Sequence, residues 1–162
     1  MIEAKVERVF VERFKNALKP FGVQVVGTWD VSTLNESVDA TPKAEEEAGT
    51  SGVLVVKIQP RQYATPTVPD ATLNGAISLS IRADVDWSGK TYLDVCDIVV
   101  KEMEKLQECY HSTHQEYSIP DEGFVVTGFQ LGAGDTSANT TKKVFSYSHT
   151  FTIYGVIQTP EW

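Results

Sequence analysis

Ile77-Ser78-Leu79-Ser80-Ile81-Arg82-Ala83-Asp84-Val85-Asp86-Trp87 is the stretch on which the fold class turns. Its odd-numbered residues are apolar and its even-numbered residues are polar or charged, and a period of two places the two sets on opposite faces of a β-strand. At about 3.3 Å per residue the eleven positions span roughly 36 Å. A strand dry on one face and wet on the other belongs to a twisted antiparallel sheet covered on one side, and the flanking segments must supply the cover.

On the C-terminal side, residues 91–110 carry Tyr92, Val95, Ile98, Val99, Met103 and Leu106 at helical spacing, so a helix is predicted there. Thr91 is its expected N-cap, with Asp94 three positions on completing a capping-box-like pair. Pro120 and Gly123 close a polar turn, and 124–131 reads as a further strand. Residues 132–141 form a glycine- and threonine-rich segment, read as a flexible hairpin tip. Val144–Ile157 alternates Phe145, Tyr147, His149, Phe151 and Ile153 against Ser146, Ser148, Thr150 and Thr152, which predicts the returning strand of that hairpin.

On the N-terminal side, Val53–Ile58 is a β-branched strand ended by Pro60, and 64–69 is a proline-containing connection. Residues 27–52 lose apolar rhythm and contain Pro42, the run Glu45, Glu46, Glu47, and Gly49 and Gly52; they read as a long surface arm. Residues 23–26 make a short strand. Before them Ile2–Leu18 puts Val6, Phe10, Phe14 and Leu18 on one helical face and leaves Glu3, Lys5, Glu7, Arg8, Glu12 and Lys15 for water. The order is α-β-β-α-β-β. It predicts a single α+β domain over 1–162, with a four- to five-stranded antiparallel sheet and two helices packed on one face.

Composition bounds the function. The 162 residues are 41% hydrophobic and 22% charged, ordinary values for a soluble globular domain. No apolar run reaches the roughly 18 residues of a membrane helix, and the first ten residues lack a secretion-signal pattern, so a cytosolic protein without a membrane partner is expected. The net charge of −8 opposes nucleic-acid binding, which draws on clustered Lys and Arg. Cys96 and Cys109 fall thirteen positions apart in the second helix, about 20 Å along its axis and too far for a disulfide.

No catalytic constellation emerges, and no enzyme activity, metal or cofactor is expected. Asp84 through Thr91 mimics a phosphate-cradling loop by ending in Gly89-Lys90-Thr91, but Asp84 stands where the first glycine is needed, and Asp84 and Asp86 would repel an anion. Cys109, His111, His114 and Glu116 bring metal-ligating types together without a closed four-ligand spacing. His149 lies on the apolar register of its strand and has no identifiable nucleophile or carboxylate beside it. These two features carry the alternative of a small metal- or ligand-binding domain or enzyme. The glutamate run and Gly132, Gly134, Asp135 and Asn139 in the tip are the candidate partner-contact residues.

The helix Ile2–Leu18, the approach Thr65-Pro66-Thr67-Val68-Pro69, the strand Gly75-Ala76-Ile77-Ser78-Leu79-Ser80-Ile81 running into a polar turn, the helix over 91–106 and the hairpin ending in Phe151-Thr152-Ile153-Tyr154 together resemble the tail terminator and tail completion proteins of long-tailed phages. The resemblance spans nearly the whole chain outside 27–52. It implies a structural virion protein of the tail or neck, assembled in host cytoplasm as a homo-oligomeric ring, usually a hexamer. Such a ring caps the tail tube protein, meets the head–tail connector protein, and lets DNA pass without specific binding. A head-completion or connector adaptor is the neighbouring expectation.

Overall fold

The computed structural model describes residues 1–29, 52–65, 68–108 and 114–158. Helix α1, Ile2–Leu18, is followed by β1, Gln24–Gly27, and β2, Val53–Ile58. Then come β3, Gln62–Thr65, β4, Val68–Arg82, helix α2, Tyr92–Glu108, and the closing pair β5, Phe124–Asn139, and β6, Val144–Ile157. The fold is α+β, with two helices and one six-stranded sheet in the order β1-β2-β4-β6-β5, β3 pairing β4 off that path. The helices α1 and α2, like β2 and β6, fall where the apolar periods place them.

The sheet is mixed, which corrects the antiparallel expectation. β1 runs parallel to β2, with Gln24 opposite Val53 and Gly27 opposite Val56. A parallel pair needs a long crossover, whereas an antiparallel pair closes on a tight turn. The chain between the two strands returns to the end where β1 began, as the bond from Gln24 N to Gly52 O at 2.9 Å shows. The arm 27–52 therefore has the length that a parallel connection demands. Residues 30–51 within it, Glu45, Glu46 and Glu47 included, lie outside the described residues.

Strand count and bounds differ as well. The proline-containing stretch at 64–69 contributes the end of β3 and the start of β4, with Thr65 opposite Val68. Pro69 sits at the opening of β4, beside the register shift with β3 between Tyr63 and Thr65 and before Asp70 begins the ladder with β6, and strand starts and bulges are where a sheet tolerates proline. β4 stops at Arg82, although the apolar alternation continues to Trp87. There the chain folds back through a two-residue turn, Trp87 N to Lys90 O at 2.9 Å and Lys90 N to Trp87 O at 3.1 Å. Ser88 and Gly89 both have positive φ, the mirror-image turn that suits a tight reversal. Trp87 is buried because its indole folds under the strand end, donating to Arg82 O at 3.1 Å.

One core holds both helical stripes and one sheet face. Val6, Phe10, Phe14 and Leu18 of α1, and Val95, Val99, Met103 and Leu106 of α2, are buried with Leu54, Val56, Leu73, Ile77, Leu79, Phe151 and Ile153. Phe10 lies 4.4 Å from the ring of Tyr117 and 4.7 Å from Phe151, centroid to centroid. Such ring pairs add about 1 kcal/mol each beyond the area they bury. The opposite face of the central strands carries Ser78 opposite Ser148, Ser80 opposite Ser146, and Thr150 opposite Ala76. The register thus separates a dry face from a hydroxyl-rich one.

Two acidic residues assigned to water from the helical pattern are buried. Glu3 and Glu7 are each 2% exposed. They lie one turn apart on the flank of the apolar stripe, and the chain entering and leaving the sheet brings donors to them. Glu7 accepts from the amides of Thr28 and Trp29, the Thr28 hydroxyl and the Ile58 amide. Glu3 accepts from the amide of Arg61 at 2.8 Å and from its guanidinium at 2.7 Å and 3.1 Å. Burial opposes ionisation of Glu3, but the Arg61 bonds outweigh it and hold the carboxyl below its ordinary range. The helix is therefore pinned to the ends of β1 and β2 by charge as well as by packing.

Candidate assembly interface

β5 forms one outer edge of the sheet, and among the described residues it pairs with no strand but β6. Residues 132–139, expected as a tip, are the second half of this strand: Gly134 faces His149, Asp135 faces Ser148 and Asn139 faces Val144. That corrects the tip to 140–143. Glycines lowered the apparent strand character of 132–134, yet a strand tolerates them where it bulges. Leu131 faces Phe151 and Gly134 faces His149, so three steps on β5 answer two on β6. A second irregularity between Val126 and Gly128 changes the alternation again, and both bulges increase local twist.

His149 holds the bulge between Leu131 and Gly134. Its Nε2 lies 2.9 Å from Gly132 O; a carbonyl can only accept, so Nε2 carries the proton and Nδ1 accepts from the Tyr147 hydroxyl at 2.6 Å. Thr150 Oγ1 donates to Ala133 O at 3.3 Å. Both imidazole nitrogens are thus engaged, Nε2 by a backbone carbonyl and Nδ1 by the Tyr147 hydroxyl, which leaves neither poised as a base. Gly132, Gly134, Asp135 and Asn139 come together along this edge and are all exposed.

The other chemical candidates separate. Cys109 and His111 lie outside the described residues, His114 opens a 3-10 turn, His114–Tyr117, and Glu116 pairs with Arg13. Arg13 also bonds Glu102 at 3.1 Å and the Tyr117 hydroxyl at 3.4 Å, joining α1, α2 and the turn. Among the described residues no three His, Cys, Asp or Glu side chains are grouped to hold a metal. In the phosphate-loop mimic, Asp86 Oδ2 accepts from Gly89 N at 3.2 Å, and Asp94 exchanges bonds with Thr91 at 3.0 Å and 3.3 Å. That segment is a turn followed by a helix cap. Cys96 is buried in α2, and burial pushes its thiol up to about 11. Among the described residues, no helix is long and apolar enough to cross a membrane.

A small groove of about 160 Å³ opens beside Glu7, lined by Ala4, Val11, Gly27 and Trp29. Its floor is structural: Glu7 closes against Gly27, where any side chain would collide with the carboxylate. Sequence reading missed Glu3 and Glu7 although a signal was present. The step of four from Glu3 to Glu7 runs alongside Val6 and Phe10 at the margin of the buried stripe, where acidic side chains meet backbone donors as readily as water.

No family model matches the chain, and no curated protein matches it. Several solved structures align at low similarity. A component of the virion of a native gene transfer agent particle aligns at 12% identity and a TM-score of 0.41, covering 74% of this chain and 87% of that one. A crystal structure from Akkermansia muciniphila aligns at 10% identity and a TM-score of 0.43, covering 99% and 80%. Another from the same organism, determined without its transmembrane region, gives 10%, 0.40, 99% and 86%. Alignments this loose carry no argument about family or function.

Proposed function

We propose that the chain is a structural assembly protein of a phage tail or neck, a tail terminator or completion protein acting as a homo-oligomeric ring without catalysing a reaction. One observation carries this reading: the outer edge of β5 over 132–139 is exposed and meets no second strand among the described residues. Pairing such an edge with a different strand of the neighbouring subunit is a heterologous contact, and it closes into a ring when the rotation between copies fits. The element order and the motifs quoted above supply the resemblance to that family. Within a ring, the net charge of −8 per copy supports passage of DNA without adhesion, because like charges repel the phosphate backbone.

The engagement of His149 in a bulge favours a scaffold over an enzyme. The test is sedimentation and negative-stain imaging of the purified protein with and without tube protein. Closed rings, six-fold or of another order, are expected. A protein that stays monomeric at tens of micromolar, even with tube protein present, overturns the reading.

A further inference from the structure

The free side of β5 over 134–138 is guarded by a side chain of its own strand. On the side toward β6, the bulge carbonyls of Gly132 and Ala133 are taken by His149 and Thr150. Beyond the bulge, the amide of Thr136 donates to Asp135 Oδ1 at 2.9 Å. Residues in an antiparallel ladder alternate between bonding the partner strand and facing away from it. The Thr136 amide, spent on Asp135, belongs to the outward set, and Gly134 and Ala138 share its phase. An approaching strand would meet the amides of 134, 136 and 138 in one repeat, with a carboxylate over the middle one.

Asp135 is exposed and is the sole charged residue between Phe124 and Thr141. Rotation about its side-chain torsions would release the Thr136 amide while leaving the β5–β6 ladder intact. A second β5 would bring the same carboxylate to the same edge, and like charges across a strand pair are destabilising. A strand with a lysine or arginine at a directly opposite or diagonal position, about 5–8 Å away between side-chain bases, would draw the carboxylate into an ion pair.

We propose that the β5 edge at 134–138 docks an extended protein segment bearing a lysine or arginine, and that Asp135 is the gate that refuses a second copy of β5. The proposal concerns the isolated domain and stands or falls apart from the virion reading. A D135K variant supplies the complementary strand from this same protein. Amide exchange is followed in isotope-labelled wild type mixed with unlabelled D135K, and separately with unlabelled wild type.

Exchange at Thr136 and Ala138 is expected to slow by about tenfold only in the D135K mixture, as pairing protects the amides, with sedimentation showing the heterodimer. D135N keeps a capping oxygen without the charge, and its own exchange at these amides is expected to slow as its concentration rises. Unchanged exchange in both the D135K mixture and D135N overturns the proposal. Equal slowing on adding unlabelled wild type, with sedimentation showing a dimer and no ring, also overturns it, since the gate would then refuse nothing. Ring formation is read from particle mass alone, so a monomeric result there leaves this readout intact.

Discussion

Glu7 Oε2 lies 3.1 Å from the amide of Ile58, fifty-one positions along the chain, and the same carboxylate holds the amide of Trp29 at 2.7 Å. One side chain on α1 therefore fastens the exits of two parallel strands. Truncation to alanine strands the buried amide of Ile58 and the partly buried amides of Thr28 and Trp29, and a buried amide left unpaired carries a desolvation penalty of about 1–3 kcal/mol. Glu7→Ala is expected to lower unfolding free energy by about 3 kcal/mol or more, measured by urea denaturation.

The Glu3–Arg61 pair makes stability depend on acid. Because the folded carboxyl sits below its ordinary 4.5, its contribution is present above that value and fades as pH falls through the folded one. Wild type is expected to lose more stability between neutral pH and pH 3 than Glu3→Gln does, with urea midpoints across that range as the measurement. Parallel curves for the two proteins would contradict the bonding described.

Gly75 faces Phe151 across β4 and β6. A methyl group on Gly75 would come within 2.5 Å of the Phe151 ring and 2.8 Å of Lys57 O, so the ring occupies the space that glycine vacates. Gly75→Ala should destabilise by about 1–3 kcal/mol through overpacking. Thermal unfolding checks this.

The clasp at the bulge between Leu131 and Gly134 predicts coupled effects. His149→Phe and Tyr147→Phe should each cost about 1 kcal/mol, and the double variant less than their sum, because both remove the 2.6 Å bond between them. Additive losses in a double-mutant cycle would show that this contact contributes nothing.

Cys96 should be unreactive while the protein is folded. Its thiol is buried and pushed up to about 11, and the thiolate is the reacting species. In a Cys109→Ser background, an aromatic disulfide reagent at pH 8 should label Cys96 only at the rate of unfolding, read by absorbance with and without urea.

Much of this architecture was legible because apolar period and chain direction agree. α1, β2 and β6 follow from Phe10, Leu54 and Phe151 and their spaced neighbours. What escaped depends on long-range partners. Nothing local distinguishes Glu7 from Glu12, since the three amides that Glu7 accepts from lie just beyond β1 and at the end of β2. Trp87 kept the strand period while the chain was already turning, because Ser88 and Gly89 supply a reversal that side-chain alternation does not register. Residues 132–139 lack the bulk that marks a strand; it is β6, through His149 and Thr150, that draws them into the sheet. The candidate site was thus visible as a set of residues, and its nature as an edge became visible only with the register.

β6 lies between β4 and β5, and thirteen residue pairs join it to β4 alone. A ribosome making this chain releases β4 and both helices before β6 exists, so the middle of the sheet stays vacant until late in translation. During that interval the unpaired side of β4 can recruit foreign strands, and chaperone demand in the producing cell should track the delay between synthesis of residues 82 and 144 more closely than the stability of the finished protein.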